Sequence, residues 1–172
     1  MSVLNDYNPN RPTKLLEALI NLSLMEGSVI LEGLDCVGKT STANLLVETT
    51  GRLFLTPQRF AEVPSTLQSY YDYFTLGQYK TFFELSKAVD VVIDRCHLSS
   101  YVFGRKSWAD VQFCEVGQTD HVRGVYLYAD EEVVKQRMRT KGEPVELFEK
   151  YLEHRELYEQ ALEKSAIRFI KL

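Results

Sequence analysis

The sequence predicts an α/β fold, a five-stranded parallel sheet with helices on both faces. Three observations predict it. Short β-rich runs alternate with helix-period segments along the 172 residues. The first β-rich run leads directly into GLDCVGKTS, residues 33–41. A later one, VDVVIDR at 89–95, breaks off abruptly into charge. In open parallel sheets ligands bind beyond the carboxyl ends of the strands, so both of these strand ends would face one cleft.

Taken in order, residues 1–11 carry Asn, Pro and Arg and read as a loose N-terminal arm. Residues 12–25, PTKLLEALINLSLM, have helical periodicity. SVILEGL from 28 is a buried strand, 39–49 a helix, and RLFLTP (52–57) a short second strand. Residues 63–88 are helical and unusually aromatic. VDVVIDR is the third strand and RGVYLYAD (123–130) the fourth. EEVVKQRMRTKG and EPVELFEKYLEHRELYEQALEKS are two successive helices, and AIRFIKL closes the sheet. No repeat or low-complexity segment interrupts this pattern, which fits one domain over 1–172.

Composition narrows the function. Hydrophobic residues make up 45 % and charged residues 26 %, enough apolar surface for a full core. A net charge of −4 argues against broad electrostatic binding to nucleic acid or to an anionic membrane. No apolar run approaches the roughly 18 residues of a membrane span. The three Cys (36, 96, 114) fit no zinc spacing, and an odd count suits a reducing cytoplasm. The three His (97, 121, 154) are too scattered for a metal site.

Gly33-x4-Gly38-Lys39-Thr40 fits the phosphate-binding pattern G-x-x-x-x-G-K-[ST], the P-loop. Its glycines let the backbone wrap phosphates with amides pointing inward, and the following helix adds its positive end. Gly33, Cys36, Val37, Gly38, Lys39, Thr40 and Ser41 are therefore the expected ATP-binding residues. Lys39 should reach the β and γ phosphates, and the Thr40 hydroxyl should bind Mg²⁺. Strand before and helix after match the structural context that the motif requires. A GTPase would add an Asp-x-x-Gly switch and an Asn-Lys-x-Asp base reader, and the chain has neither.

Asp94 stands where an apolar strand meets the cleft, a place for a second Mg²⁺ ligand acting directly or through water. Arg95 follows and offers a bidentate fork for a phosphate. Arg137, Arg139 and Lys141 cluster where a helix ends at Gly142. They either complement the helix dipole or converge on an anion as part of a mobile lid, about 137–146. Arg59, just past the second strand, either meets an acceptor phosphate or is a solvated loop residue. The stretch SYYDYFTLGQYKTFFEL supplies core at helical spacing, with Phe60 and Phe82 as candidates to stack on a base.

Together these pieces resemble the thymidylate kinase branch of the P-loop nucleotide kinases, over about residues 27–163. EGLDCVGKTS resembles the family's P-loop, and the resemblance implies that Asp35 contacts the 3′-hydroxyl of the acceptor sugar. DRCHLSSYVFG resembles its Asp-Arg-aromatic motif, which puts Asp94 near Mg²⁺, Arg95 on the acceptor phosphate and Phe103 at the acceptor. TPQRF resembles its Pro-x-Arg segment, which puts Arg59 on the same phosphate, and QRMRTKGEP occupies the place of its arginine-bearing lid. In one branch the P-loop itself carries an arginine where this chain has Cys36, so the lid arginines would have to act. Family members read thymine through an arginine on the helix before the Asp-Arg strand. Here no arginine lies between Arg59 and Arg95, only Lys80 and Lys87. Gly104 stands where many members have Gln, and Cys96 where they have an aromatic or His. The resemblance also implies a homodimer, and short members of this kind look phage-encoded, which would place the chain in the cytoplasm of an infected host cell.

The expectation is an ATP- and Mg²⁺-dependent nucleoside monophosphate kinase. The γ-phosphoryl group would pass to a deoxynucleoside monophosphate, dTMP or a relative. Lys39, Arg95, Arg137 and Arg139 would be catalytic; Asp35, Arg59, Phe60, Phe82, Arg95 and Phe103 would hold the acceptor; Thr40 and Asp94 would hold the metal. Two alternatives stay open. A deoxynucleoside kinase would need a carboxylate base, for which Glu62 is the candidate. A non-catalytic nucleotide-binding module would bind ATP without transfer.

Overall fold

The computed structural model describes residues 20, 21, 23, 24, 26–58, 64–104, 106–117, 120–142, 144 and 148–172. The N-terminal arm, Arg59, Phe60 and Glu62 lie outside them. Of the expected helix over 12–25, Ile20, Asn21, Ser23 and Leu24 are described, and all four are helical.

The five expected strands form one parallel sheet in the order β2-β3-β1-β4-β5. They are β1 (Ser28–Glu32), β2 (Leu53–Leu55), β3 (Val91–Asp94), β4 (Val122–Tyr126) and β5 (Phe169–Lys171). The helices are α1 (Lys39–Thr50), α2 (Gln68–Ser86), α3 (His97–Val102), α4 (Trp108–Glu115), α5 (Glu131–Lys141) and α6 (Phe148–Lys164). A 3₁₀ turn, Ser65–Leu67, leads into α2. The fold is the α/β P-loop NTPase fold.

The alternation of side chains along β1 sorts the core. Val29 and Leu31 join one cluster with Ala43 and Leu46 of α1, Val134 and Met138 of α5, and Tyr158 and Ala161 of α6. Ile30 joins the other, with Tyr79 and Phe83 of α2, Ile93 of β3 and Cys114 of α4. Each fully buried aliphatic side chain contributes about 1.5–3 kcal/mol, so both faces must be covered for the central strand to hold. Gly124 in β4 allows the last strand to dock, since a Cβ there would fall 2.3 Å from the Phe169 ring.

Two helices lie where periodicity offers none. α3 and α4 occupy 97–102 and 108–115. For α4 a local signal exists. Ser107 caps its start and Asp110 returns the bond, a reciprocal box that satisfies two orphan amides. α5 follows its charge pattern, with Glu131 and Glu132 in the first turn, Arg139 and Lys141 in the last, and Gly142 closing it at φ 71°.

Candidate active site

β1 is central, with β3 on one side and β4 on the other. The chain therefore leaves the middle of the sheet where neighbouring connections diverge, and a crevice opens there. Gly33 leaves β1 at φ 140°, and a Cβ would lie 2.3 Å from the Leu127 carbonyl oxygen, so the turn requires glycine. Cys36 (φ 62°) and Gly38 (φ 101°) are also left-handed. Successive amides in such conformations form an anion-binding concavity, and α1 starts at its rim.

Lys39 is 6 % exposed, and its Nζ donates to the Leu34 carbonyl inside the loop. Burial, with the nearby Arg95 guanidinium, lowers its pKa from 10.5 to about 7, against the opposing pull of Asp35, Asp94 and Glu32. A phosphate arriving at the loop would restore the full positive charge.

Strand register places Asp94 beside the loop. Leu31 of β1 pairs with Asp94 of β3, so the carboxylate ends level with the loop. The Thr40 hydroxyl donates to Asp94 Oδ2 at 2.7 Å. Asp94 is 8 % exposed, and its buried Oδ1 has no partner among the described residues. A hydroxyl and a carboxylate with an open oxygen, beside a phosphate loop, suit a Mg²⁺ that keeps several waters.

Arg95 turns the chain out of β3 at φ 66°, a strained conformation for a non-glycine residue. Its amide donates to the Leu31 carbonyl at 2.9 Å. Its guanidinium is aligned by Asp35 through Nη2 and lies 5.2 Å from the centre of the Phe103 ring. Its buried Nη1 has no partner among the described residues. His154 of α6 meets the other side of this group, its ring 4.8 Å from that of Phe103. Asp35, Arg95 and Phe103 are thus brought together, and His154 joins them from a helix that sequence spacing leaves unconnected to them.

Arg137 Nη1 donates to the Cys36 carbonyl at 2.9 Å, so the end of α5 rests on the P-loop. Arg139 and Lys141 are exposed, without a described contact to the loop. Val37 is 9 % exposed within the core, whereas Ser41 is exposed at the start of α1. Phe82 is corrected from the acceptor to the core. It is 9 % exposed among Ile30, Val91 and Ile93, because its turn of α2 faces the sheet. Cys96 is fully buried, and burial holds its thiol well above the usual range, so it does not border the cleft.

No motif points to Glu32, yet it ties the start of α3 and the middle of α6 to the end of β1. It is fully buried at the end of β1. It accepts from the Cys96 amide at 3.0 Å, the Ser99 amide at 3.3 Å and the Tyr158 hydroxyl at 3.2 Å, and also from the Ser99 hydroxyl. A buried carboxylate demands such donors. The usable sequence signal was a lone Glu ending an otherwise apolar strand.

The fold has known counterparts. The YorR protein of Bacillus subtilis, in complex with phosphorylated GDP, superposes at TM-score 0.70 with 22 % identity over 84 % of each chain. A thymidylate kinase from Candida albicans gives 0.58 with 13 % identity, over 85 % of this chain and 83 % of that one. A deoxyadenosine kinase from M. mycoides with bound dATP gives 0.53 with 13 % identity, over 84 % and 90 %. At these identities the likeness is one of fold. No protein-family model and no curated protein sequence matches the chain.

Proposed function

We propose that the chain is a nucleoside monophosphate kinase of thymidylate kinase-like type, passing the γ-phosphoryl group of ATP to a deoxynucleoside monophosphate. One observation carries this reading: two consecutive residues reach two different parts of the cleft. Asp94 is bonded to the P-loop threonine, while Arg95, aligned by Asp35, keeps a buried nitrogen open beside Phe103. Simple hydrolysis would give no use to that second cation. The molecules bound to the neighbours, phosphorylated GDP and dATP, add support for a nucleotide site.

The P-loop amides and Lys39 bind the donor phosphates. Thr40 and Asp94 would hold Mg²⁺, which when bound neutralises phosphate charge. Arg95, with Arg59, fixes the acceptor phosphate in line, Asp35 meets its sugar, Phe103 lies at the acceptor, and Phe60 is a candidate to stack on the base. An acceptor oxygen forms the new bond to the γ phosphorus as the bond to the β-bridging oxygen breaks and ADP leaves. The acceptor is already anionic, so no residue need remove a proton. Arg137 and Arg139 stabilise the charge in transit. In this reading the 172 residues form one kinase domain with a lid at 137–146, working in the cytoplasm as a homodimer without nucleic acid or membrane partners.

The test is ADP release from Mg²⁺-ATP with a panel of deoxynucleoside monophosphates and the matching nucleosides. Turnover with a monophosphate is expected. Turnover with nucleosides alone would make the chain a deoxynucleoside kinase, and ATP binding without turnover would make it a non-catalytic module.

A further inference from the structure

One residue beyond Phe103, Gly104 lines a cavity that the reaction above does not use. It has a volume of about 460 Å³ and is lined by Asp72, Tyr73, Leu76, Gly104, Lys106 and Asp110 among others. That is the size of a small-ligand site. Its place follows from topology. β2 and β3 are parallel neighbours, so α2 between them starts at the carboxyl ends of the strands, and Asp72, Tyr73 and Leu76 sit in its first turns. Gly104 directly follows Phe103, the ring beside Arg95. A nucleotide whose phosphate meets Arg95 and whose sugar passes Phe103 would place its base here.

The cavity holds one ion pair. Lys106 Nζ lies 3.2 Å from Asp72 Oδ1, with the lysine side chain 4 % exposed and the aspartate 35 %. The Lys106 amide is tied to the Ser100 carbonyl at 3.1 Å, which fixes the backbone beneath the ammonium. Gln68 Nε2 also donates to Asp72 Oδ1, at 3.1 Å, so Asp72 Oδ2 has no partner among the described residues. Asp110 is held at the start of α4, its Oδ2 accepting from the Ser107 amide at 3.0 Å and hydroxyl at 2.8 Å. The ion pair therefore offers a base the open Oδ2 of Asp72, the Oδ1 that Lys106 and Gln68 share, and the Lys106 ammonium: two adjacent acceptor atoms beside one donor, once the base displaces Gln68.

We propose that this cavity holds the base of the acceptor and that Asp72 and Lys106 select guanine, an inference that rests on the monophosphate kinase reading. Guanine alone presents the complementary edge: two parallel donors, N1–H and the 2-amino group, beside the acceptor O6. Thymine and uracil present one donor between two carbonyls, which sets an oxygen against the carboxylate. Cytosine offers one donor and two acceptors. Adenine offers one donor, leaving a carboxylate oxygen unmatched. Tyr73, 78 % exposed at the mouth, supplies a face for stacking.

The experiment compares kcat/KM for dGMP, deoxyinosine monophosphate (which lacks the 2-amino group), dTMP, dAMP and dCMP, in the wild type, Asp72→Asn and Lys106→Met, with thermal melting as the check on folding. The wild type should favour dGMP by about tenfold or more, and Asp72→Asn should lower that value about ten- to a hundredfold with the KM for ATP unchanged. The wild-type penalty for deoxyinosine monophosphate should shrink in Asp72→Asn, a loss that mere structural damage would not produce. Lys106→Met should weaken dGMP separately, through O6. Turnover of another monophosphate with dGMP silent, or an undiminished deoxyinosine penalty in Asp72→Asn, overturns the guanine assignment and leaves the kinase standing. Silence with every monophosphate overturns both.

Discussion

The two halves of the cleft are built in different ways. On the donor side, residues 33–41 are consecutive, and one neighbouring strand adds Asp94 through backbone register. On the proposed acceptor side, Asp35, Asp72, Arg95, Phe103, Lys106 and His154 come from the P-loop, two helices and the segment after β3, and their recorded contacts with one another are between side chains. A half fixed by backbone tolerates little change. A half made of side chains can alter its specificity while the transfer machinery stays intact. Arg95 joins them, with its amide on β1 and its guanidinium on Asp35.

Substitutions can break this contrast at graded strengths. The largest effect is expected at Lys39. Lys39→Ala should cut kcat by about 10³-fold, with the fold retained by circular dichroism. Near-normal turnover would remove the P-loop from the chemistry. Next, Asp94→Asn should cost about 10²-fold and raise the Mg²⁺ concentration needed for half-maximal rate, because Thr40 would lose its carboxylate partner. An unchanged Mg²⁺ titration would argue that Asp94 only caps its strand.

Arg137→Ala and Arg139→Ala sharpen the comparison. Each should lower kcat by about 10²-fold if the end of α5 closes over the phosphates. If only Arg137→Ala acts, its contact with the Cys36 carbonyl suffices and Arg139 merely complements the helix dipole. Arg95→Ala should raise the acceptor KM about tenfold or more while ATP affinity barely moves. A loss confined to ATP would contradict its place in the acceptor half.

The smallest effect is a proton count. Lys39 titrates at about 7 in the folded chain against 10.5 ordinarily. At pH 8 it is mostly neutral, and phosphate binding should return its proton, so ATP binding should take up most of one proton. Calorimetry in buffers of different ionisation enthalpy measures this, and uptake that persists in Lys39→Met would exclude Lys39 as the source. The linkage to stability has a defined sign. Below pH 7 the ammonium is charged in both folded and unfolded chains, so the cost of burying it is fully present. That cost is relieved as pH rises from 7 towards 10.5. Lys39→Met should therefore stabilise the nucleotide-free chain most below pH 7.

Legibility followed the same division. The P-loop, Asp94 and Arg95 could be read because each sits at a fixed offset from a strand end. β1, β3 and β4 could be read because buried parallel strands are continuous apolar runs, and the edge strands β2 and β5 because short β-rich runs follow helix-period segments. α3 was hidden because its residues are buried almost all round, leaving no polar face to mark a period. Phe82 was misplaced because an aromatic in α2 carries no mark of which face meets the sheet. Glu32 and His154 were invisible as partners, since Glu32 meets Tyr158 across 126 positions.

By itself the sequence determined the sheet, the phosphate loop and the order of charges at the strand ends, because these follow from local periodicity, glycine geometry and adjacency along the chain. Only the tertiary structure decided which distant side chains meet: Asp35 on Arg95, His154 against Phe103 and Asp72 beside Lys106. The physical reason is that a side-chain contact between separate elements depends on how helices dock on the sheet. That docking is set by the packing of the two cores, which no short stretch of sequence contains.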